Sequence, residues 1–215
     1  MTRALLVAAL LGFSPALAQG ITFYLGFSLP SPADLRVVQE GHPETTVRQA
    51  RFESRDFGYP IYYGVRAWWG DPNGLRYELE LIHQKLYFAG AEENGELFER
   101  FQVTDGFNLL TFNLAYALPA GPVRAVGRLG AGIALPHPET VVRGRAYGVD
   151  GDPLYYHFGG LAFQGGLGLE APFGGFAAQL EGKFTFSHSR VQIAGGFVEG
   201  DFSTWHAVFG GGYRW

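Results

Sequence analysis

Ten ionisable residues fall at alternating positions within otherwise apolar segments: Arg66, Arg76, Glu78, Glu80, Arg124, Arg128, Glu170, Glu181, Lys183 and Arg214. Six are cationic and four anionic, close to balance. Such a set could serve catalysis or conduction, but enclosed in a narrow space it is better suited to pairing, because a singly buried charge is very costly. Two other stretches carry reactive residue types. "AEENGELFER" gathers Glu92, Glu93, Glu96 and Glu99, without the spacing of a defined calcium loop, and reads as a solvated loop tip. "TFSHSR" sets His188 directly between Ser187 and Ser189. Adjacent residues of a strand point to opposite sides, so this Ser–His pair is badly aimed for nucleophilic catalysis. Glu199 or Asp201 could orient the histidine only if the chain folds back. His83, His137, His157 and His206 are scattered with no metal-ligand spacing, and His206 is expected to hydrogen-bond inside the fold. Neither a metal nor a cofactor is expected.

The elements that must position these residues show period-two alternation. Eight segments carry it. Ile21, Phe23, Leu25 and Phe27 oppose Thr22, Tyr24 and Ser28. Ile61, Tyr63, Val65, Ala67 and Trp69 oppose Tyr62, Arg66 and Trp68. Leu75, Tyr77, Leu79 and Leu81 oppose Arg76, Glu78 and Glu80. "FNLLTFNLAYAL", "VRAVGRLGAGIAL", "LAFQGGLGLE", "FAAQLEGKFTFS" and the terminal "WHAVFGGGYRW" continue the pattern. "DPNG", "PAGP" and "APFGG" supply short turns after the second, fourth and sixth segments. Long connections follow the others, over residues 30–59, 88–105, 136–160 and 188–203. Each segment approaches the ~9–11 residues of a tilted membrane-crossing strand. Short turns on one side and long loops on the other predict an all-β fold: an eight-stranded antiparallel up-and-down transmembrane β-barrel with short periplasmic turns and four long extracellular loops.

The opening "MTRALLVAALLGFSPALAQG" predicts a signal peptide over 1–18, with Ala16-Leu17-Ala18 before the cut and the barrel over 19–215. No later run is long enough for an apolar spanning helix. A net charge of −4 gives no electrostatic case for nucleic acid. The chain has no cysteine, so an exported protein of this sequence must be stabilised without disulfides. It has 32 glycines and is 16% aromatic, a composition that suits repeated strands and turns.

The direction of the alternation decides what the barrel faces. With the charges outside, the large Phe, Tyr, Trp and Leu side chains would have to share an eight-stranded interior, which is only just wide enough for side chains. With the charges inside, they can pair across the lumen and plug it. The apolar face then meets lipid, and Tyr63, Trp69, Tyr87, Trp205, Tyr213 and Trp215 fall near strand ends, where aromatic girdles border a membrane.

The terminal aromatics resemble the last-strand signal read by the outer-membrane assembly machinery. The whole mature pattern resembles the small OmpA-type and OmpW-type outer-membrane barrels. "TDGFNLLTFNLAYAL", "GAGIALPHPETVVRG" and "YHFGGLAFQGGLGLE" resemble barrels of the lipid A oxidase-like group. That resemblance implies residence in the outer membrane of a diderm bacterium and possible action on lipid A, but fixes no catalytic residue. The leading expectation is a monomeric barrel with a structural or surface-interaction role and a filled lumen, whose partners are outer-membrane lipids and lipopolysaccharide. The alternatives are a lipid A-modifying enzyme and a small channel.

Overall fold

The structure, a computed structural model, describes residues 19–148 and 156–215, without the side chains of Thr104 and Asp105. The expected signal peptide and part of the third long connection, residues 149–155, lie outside the described residues. Thirteen strands follow in order: β1 Gly20–Pro30, β2 Ala33–Gln39, β3 Thr45–Ala50, β4 Phe52–Glu53, β5 Tyr63–Gly70, β6 Leu75–Phe88, β7 Phe98–Ala120, β8 Val123–Pro136, β9 Glu139–Val142, β10 Arg145–Tyr147, β11 Gly160–Phe173, β12 Phe176–Ile193 and β13 Gly196–Arg214.

Eight of them form a closed antiparallel ring, β1–β5–β6–β7–β8–β11–β12–β13 and back to β1. Closure removes the free edges that would otherwise expose backbone donors and acceptors. At the short-turn end, β5 and β6 are joined through Asp71, whose carboxylate accepts the Asn73 N–H at 2.9 Å. The turns before β8 and β12 pass through Gly121 at φ +66° and Gly174 at φ +62°, a conformation that favours glycine.

The opposite end departs from the expected loops. Residues 188–203 are not a loop: β12 and β13 stay paired from Phe176↔Tyr213 to Ile193↔Gly196. They reverse there through Ala194 and Gly195 (φ +71°). Residues 30–59 contain β2, β3 and β4, with β2 added to the edge of β13. Of residues 88–105, those from Phe98 onward already belong to β7. These segments keep period two because they have their own core, made of Leu35, Val37, Val47, Phe52, Phe98, Phe101, Val191, Val198 and Phe202 among others.

The barrel therefore has two storeys. Near the short turns, the outward face is an apolar belt including Leu129, Leu167 and Leu180, which are 74%, 76% and 61% exposed, while the inward face is polar. Beyond it, the inward face is apolar and the outward face carries charges.

Candidate functional site

The belt storey holds the enclosed charges. β5 turns Arg66 inward opposite Glu80 of β6, and β8 and β12 deliver Arg128, Glu181 and Lys183 from the far wall. Arg66 Nη2 lies 2.8 Å from Glu80 Oε1 and 3.0 Å from Glu181 Oε2. Its Nε is 3.4 Å from Glu78 Oε2. Arg128 Nε lies 3.0 Å from the same Glu78 oxygen, and its Nη1 pairs with Glu181. Lys183 Nζ lies 2.5 Å from Glu80 Oε1 and 3.0 Å from the Tyr24 hydroxyl. Tyr24 donates to Glu80 Oε1 at 2.6 Å. Asn113 and Gln164 donate to its other oxygen at 2.7 and 2.8 Å. Three cations thus meet three carboxylates, and Glu80 and Lys183 have no exposed side-chain surface. Desolvating each ion costs several kcal/mol, so the arrangement persists only because partners and neutral donors surround each charge.

Gly64 sets one wall of this layer. A Cβ there would lie 2.0 Å from Tyr24 Cζ, so only glycine lets the phenol lie flat against β5.

A smaller group closes the short-turn mouth. Arg76 grips Glu170 through two bonds of 2.7 and 2.9 Å and lies over the Trp68 ring at 4.9 Å. Arg124, partly exposed, approaches Glu170 Oε2 at 3.6 Å and donates to Asn73 at 2.8 Å. A cavity of about 40 Å³ lies here, lined in part by Trp68, Arg76, Glu170 and Gln179. Arg214 departs from the expected set of enclosed charges. It is exposed, because it ends β13 opposite Gly20 at the rim, where no wall remains to enclose it.

Above the charge layer, His206 meets the Tyr62 hydroxyl at 3.1 Å and the Thr185 hydroxyl at 2.9 Å. Tyr24, Tyr62, Asn113 and Gln164 are site residues that ion-pair reasoning alone passes over. Their signal was available, since alternation already puts Tyr24, Tyr62 and Gln164 on polar faces.

The aromatics near the strand ends fall into two groups. Trp69 stacks against Tyr77 at 6.2 Å and meets Phe112 at 6.0 Å near the short turns. Tyr213 contacts Phe176 at 4.9 Å and Trp215 at 6.2 Å. Toward the far end, Trp205 is outward and exposed beside Phe184. Tyr63 is stacked between Phe23 and His83. Tyr87 lies under Arg55, 4.4 Å from its ring centre.

Above Trp205, beyond the Phe186–Ser203 pair, the outward face becomes polar. His188 Nδ1 lies 2.8 Å from Asp201 and its Nε2 3.1 Å from Glu199. Arg36 and Arg190 also bond to Glu199, at 2.7 and 3.2 Å. Hydrogen bonds to Asp201 and then Glu199 raise the His188 pKa above its ordinary value. The continuous β12–β13 hairpin makes this grouping possible by placing His188 opposite Asp201. The flanking Ser187 and Ser189 are buried on the inward face. In the acidic stretch, Glu93 pairs with Arg48 at 3.1 Å and Glu99 accepts the Gly144 N–H at 3.0 Å. Among the described residues, no group of acidic or histidine side chains is arranged to hold a metal ion.

No protein-family model and no curated protein sequence matches the chain. Solved structures do. OprG of Pseudomonas aeruginosa is 12% identical, with 92% of this chain and 96% of that one aligned, at a TM-score of 0.50. Neisserial surface protein A is 11% identical over 90% and 97% of the two chains, with a TM-score of 0.43. Ail, the attachment invasion locus protein of Yersinia pestis, is 14% identical over 91% and 99%, with a TM-score of 0.39. The closed ring, its apolar belt and the OprG likeness together give this chain the fold of the small eight-stranded outer-membrane β-barrels.

Proposed function

We propose that the chain is an integral outer-membrane protein with a structural or surface-interaction role, not a diffusion pore. The short turns face the periplasm, and the second storey projects outside the cell. Lipopolysaccharide surrounds the belt, the assembly machinery engages β13, and the barrel works as a monomer. The observation that carries this proposal is the complete enclosure of Glu80 and Lys183 midway along the lumen. Charges that satisfy one another argue for a filled lumen at that level, and an eight-stranded interior is only wide enough for side chains. Planar bilayers containing the purified protein are expected to stay silent; discrete conductance steps would overturn the filled-lumen proposal. Lipid A mass spectra from strains with and without the gene are expected to coincide. A mass change tied to the gene would establish the enzymatic alternative instead.

A further inference from the structure

The barrel wall parts between β1 and β5. β1 pairs with β13 along its whole length, to Pro30↔Thr204, but with β5 only from Gly20↔Trp68 to Tyr24↔Gly64. β5 starts at Tyr63, so residues 25–30 have no strand on that side. The segment before β5 fills the gap. Asp56 accepts the Ser28 N–H at 2.9 Å, the Ser28 hydroxyl at 2.6 Å and the Ser54 hydroxyl at 2.9 Å. Its carboxylate substitutes for the missing ladder. Lys85 Nζ donates to the carbonyls of Arg55 and Gly58, each at 2.7 Å, and Tyr62 donates its N–H to the Asp56 carbonyl at 2.7 Å. The inner side of the segment is therefore polar and bonded.

Its outer side is apolar. Phe57, Tyr59 and Ile61 are 58%, 96% and 40% exposed. Phe57 meets Phe27 edge-on at 5.0 Å, and Phe27 belongs to the exposed belt of β1. The apolar surface is thus continuous from the belt onto the segment. Its level is that of Leu29, which pairs with Trp205, the last outward aromatic of β13 below Asp201. Irregular backbone is not tolerated exposed to hydrocarbon, but amphipathic elements settle at the boundary between acyl chains and headgroups.

We propose that residues 57–61 form a lipid-seated flap that covers the parting of β1 and β5, with the outer-leaflet acyl chains at the headgroup boundary as its partner. This rests on the barrel spanning a bilayer as proposed above. Because the chain has no cysteine, single spin labels are unambiguous. The full mature chain carrying Tyr59→Cys, Leu180→Cys or His42→Cys is labelled with a nitroxide in phosphatidylcholine vesicles. Accessibility to oxygen is then compared with accessibility to a nickel chelate. The oxygen-to-chelate ratio at 59 is expected to exceed that at 42 several-fold and approach that at 180. A ratio at 59 equal to that at 42, with 180 still lipid-like, would overturn the flap and leave the barrel standing. Water-like values at both 59 and 180 would overturn the bilayer-spanning proposal along with it. In Asp56→Asn the label at 59 is expected to become more mobile with no change at 180; an unchanged spectrum would remove Asp56 from the closure.

Discussion

Strands β12 and β13 pass through two storeys with opposite polarity. In the belt, β12 points Leu180 and Phe184 outward and Glu181 and Lys183 inward. From His188 onward, it points His188 and Arg190 outward and Val191 and Ile193 inward. β13 does the same, with Phe209 and Trp205 giving way to Asp201 and Glu199 outside, while His206 and Thr204 give way to Phe202 and Val198 inside. The two strands invert at the same height, since Phe184 pairs with Trp205 and His188 with Asp201. No residue is inserted and the register never slips. The backbone geometry is common to both storeys, and with the belt in a bilayer as proposed, only the surrounding medium differs. In lipid the apolar face must look out, and in water it must look in.

Five substitutions test whether the storeys differ as this inversion requires. The largest effect is expected inside the belt. Arg66→Ala leaves Glu78, Glu80 and Glu181 short of a shared cation and is expected to cost about 3–5 kcal/mol. Urea unfolding of the vesicle-inserted protein, followed by tryptophan fluorescence, measures it; a loss below about 1 kcal/mol, the range of exposed pairs, would mean that water reaches the layer. In the upper storey the matching cost comes from cavity formation. Phe202→Ala is expected to lose about 3–5 kcal/mol in the same assay, with the charge layer intact.

The outward faces give the next contrast. Leu180→Arg is expected to destabilise by about 2–4 kcal/mol in a bilayer, the penalty for a charge on the lipid face near mid-depth. Arg190→Leu, on the same face of the same strand above the belt, is expected to cost no more than about 1 kcal/mol, the range of its exposed pair with Glu199. Equal effects would dissolve the boundary between the storeys. The smallest effect concerns pH. Because the folded His188 pKa is raised above 6.5, its contribution to stability is fully present below 6.5. It is lost as pH rises through the higher folded value. An NMR titration of the His188 ring is expected to show the raised midpoint, and Asp201→Asn to return it toward 6.5; an unchanged midpoint in that variant would remove Asp201 as the cause.

The belt storey was legible in the sequence because its alternation is strong and its inward charges are too many to overlook. The upper storey was obscured for a physical reason. Where polarity inverts, "SHSRVQIAGGFVEGDFS" places charged residues on the face that had been apolar, and the stretch imitates a solvated loop. Its buried series Val191, Ile193, Val198 and Phe202 still alternates, and following period two through the sign change would have found it. The pairing of Arg128 with Glu181 was out of reach, since it depends on how three walls curve toward one another. Asp56 had no local signal at all; its role exists only because β1 and β5 part.

The ring is sealed by its first and last strands, β1 against β13 from Gly20↔Arg214 to Pro30↔Thr204. Glu80 and Lys183, 103 positions apart, meet only across that finished circle. A chain delivered in order therefore cannot close this ring piece by piece. β1 stays open along one whole edge until β13 has formed beside it.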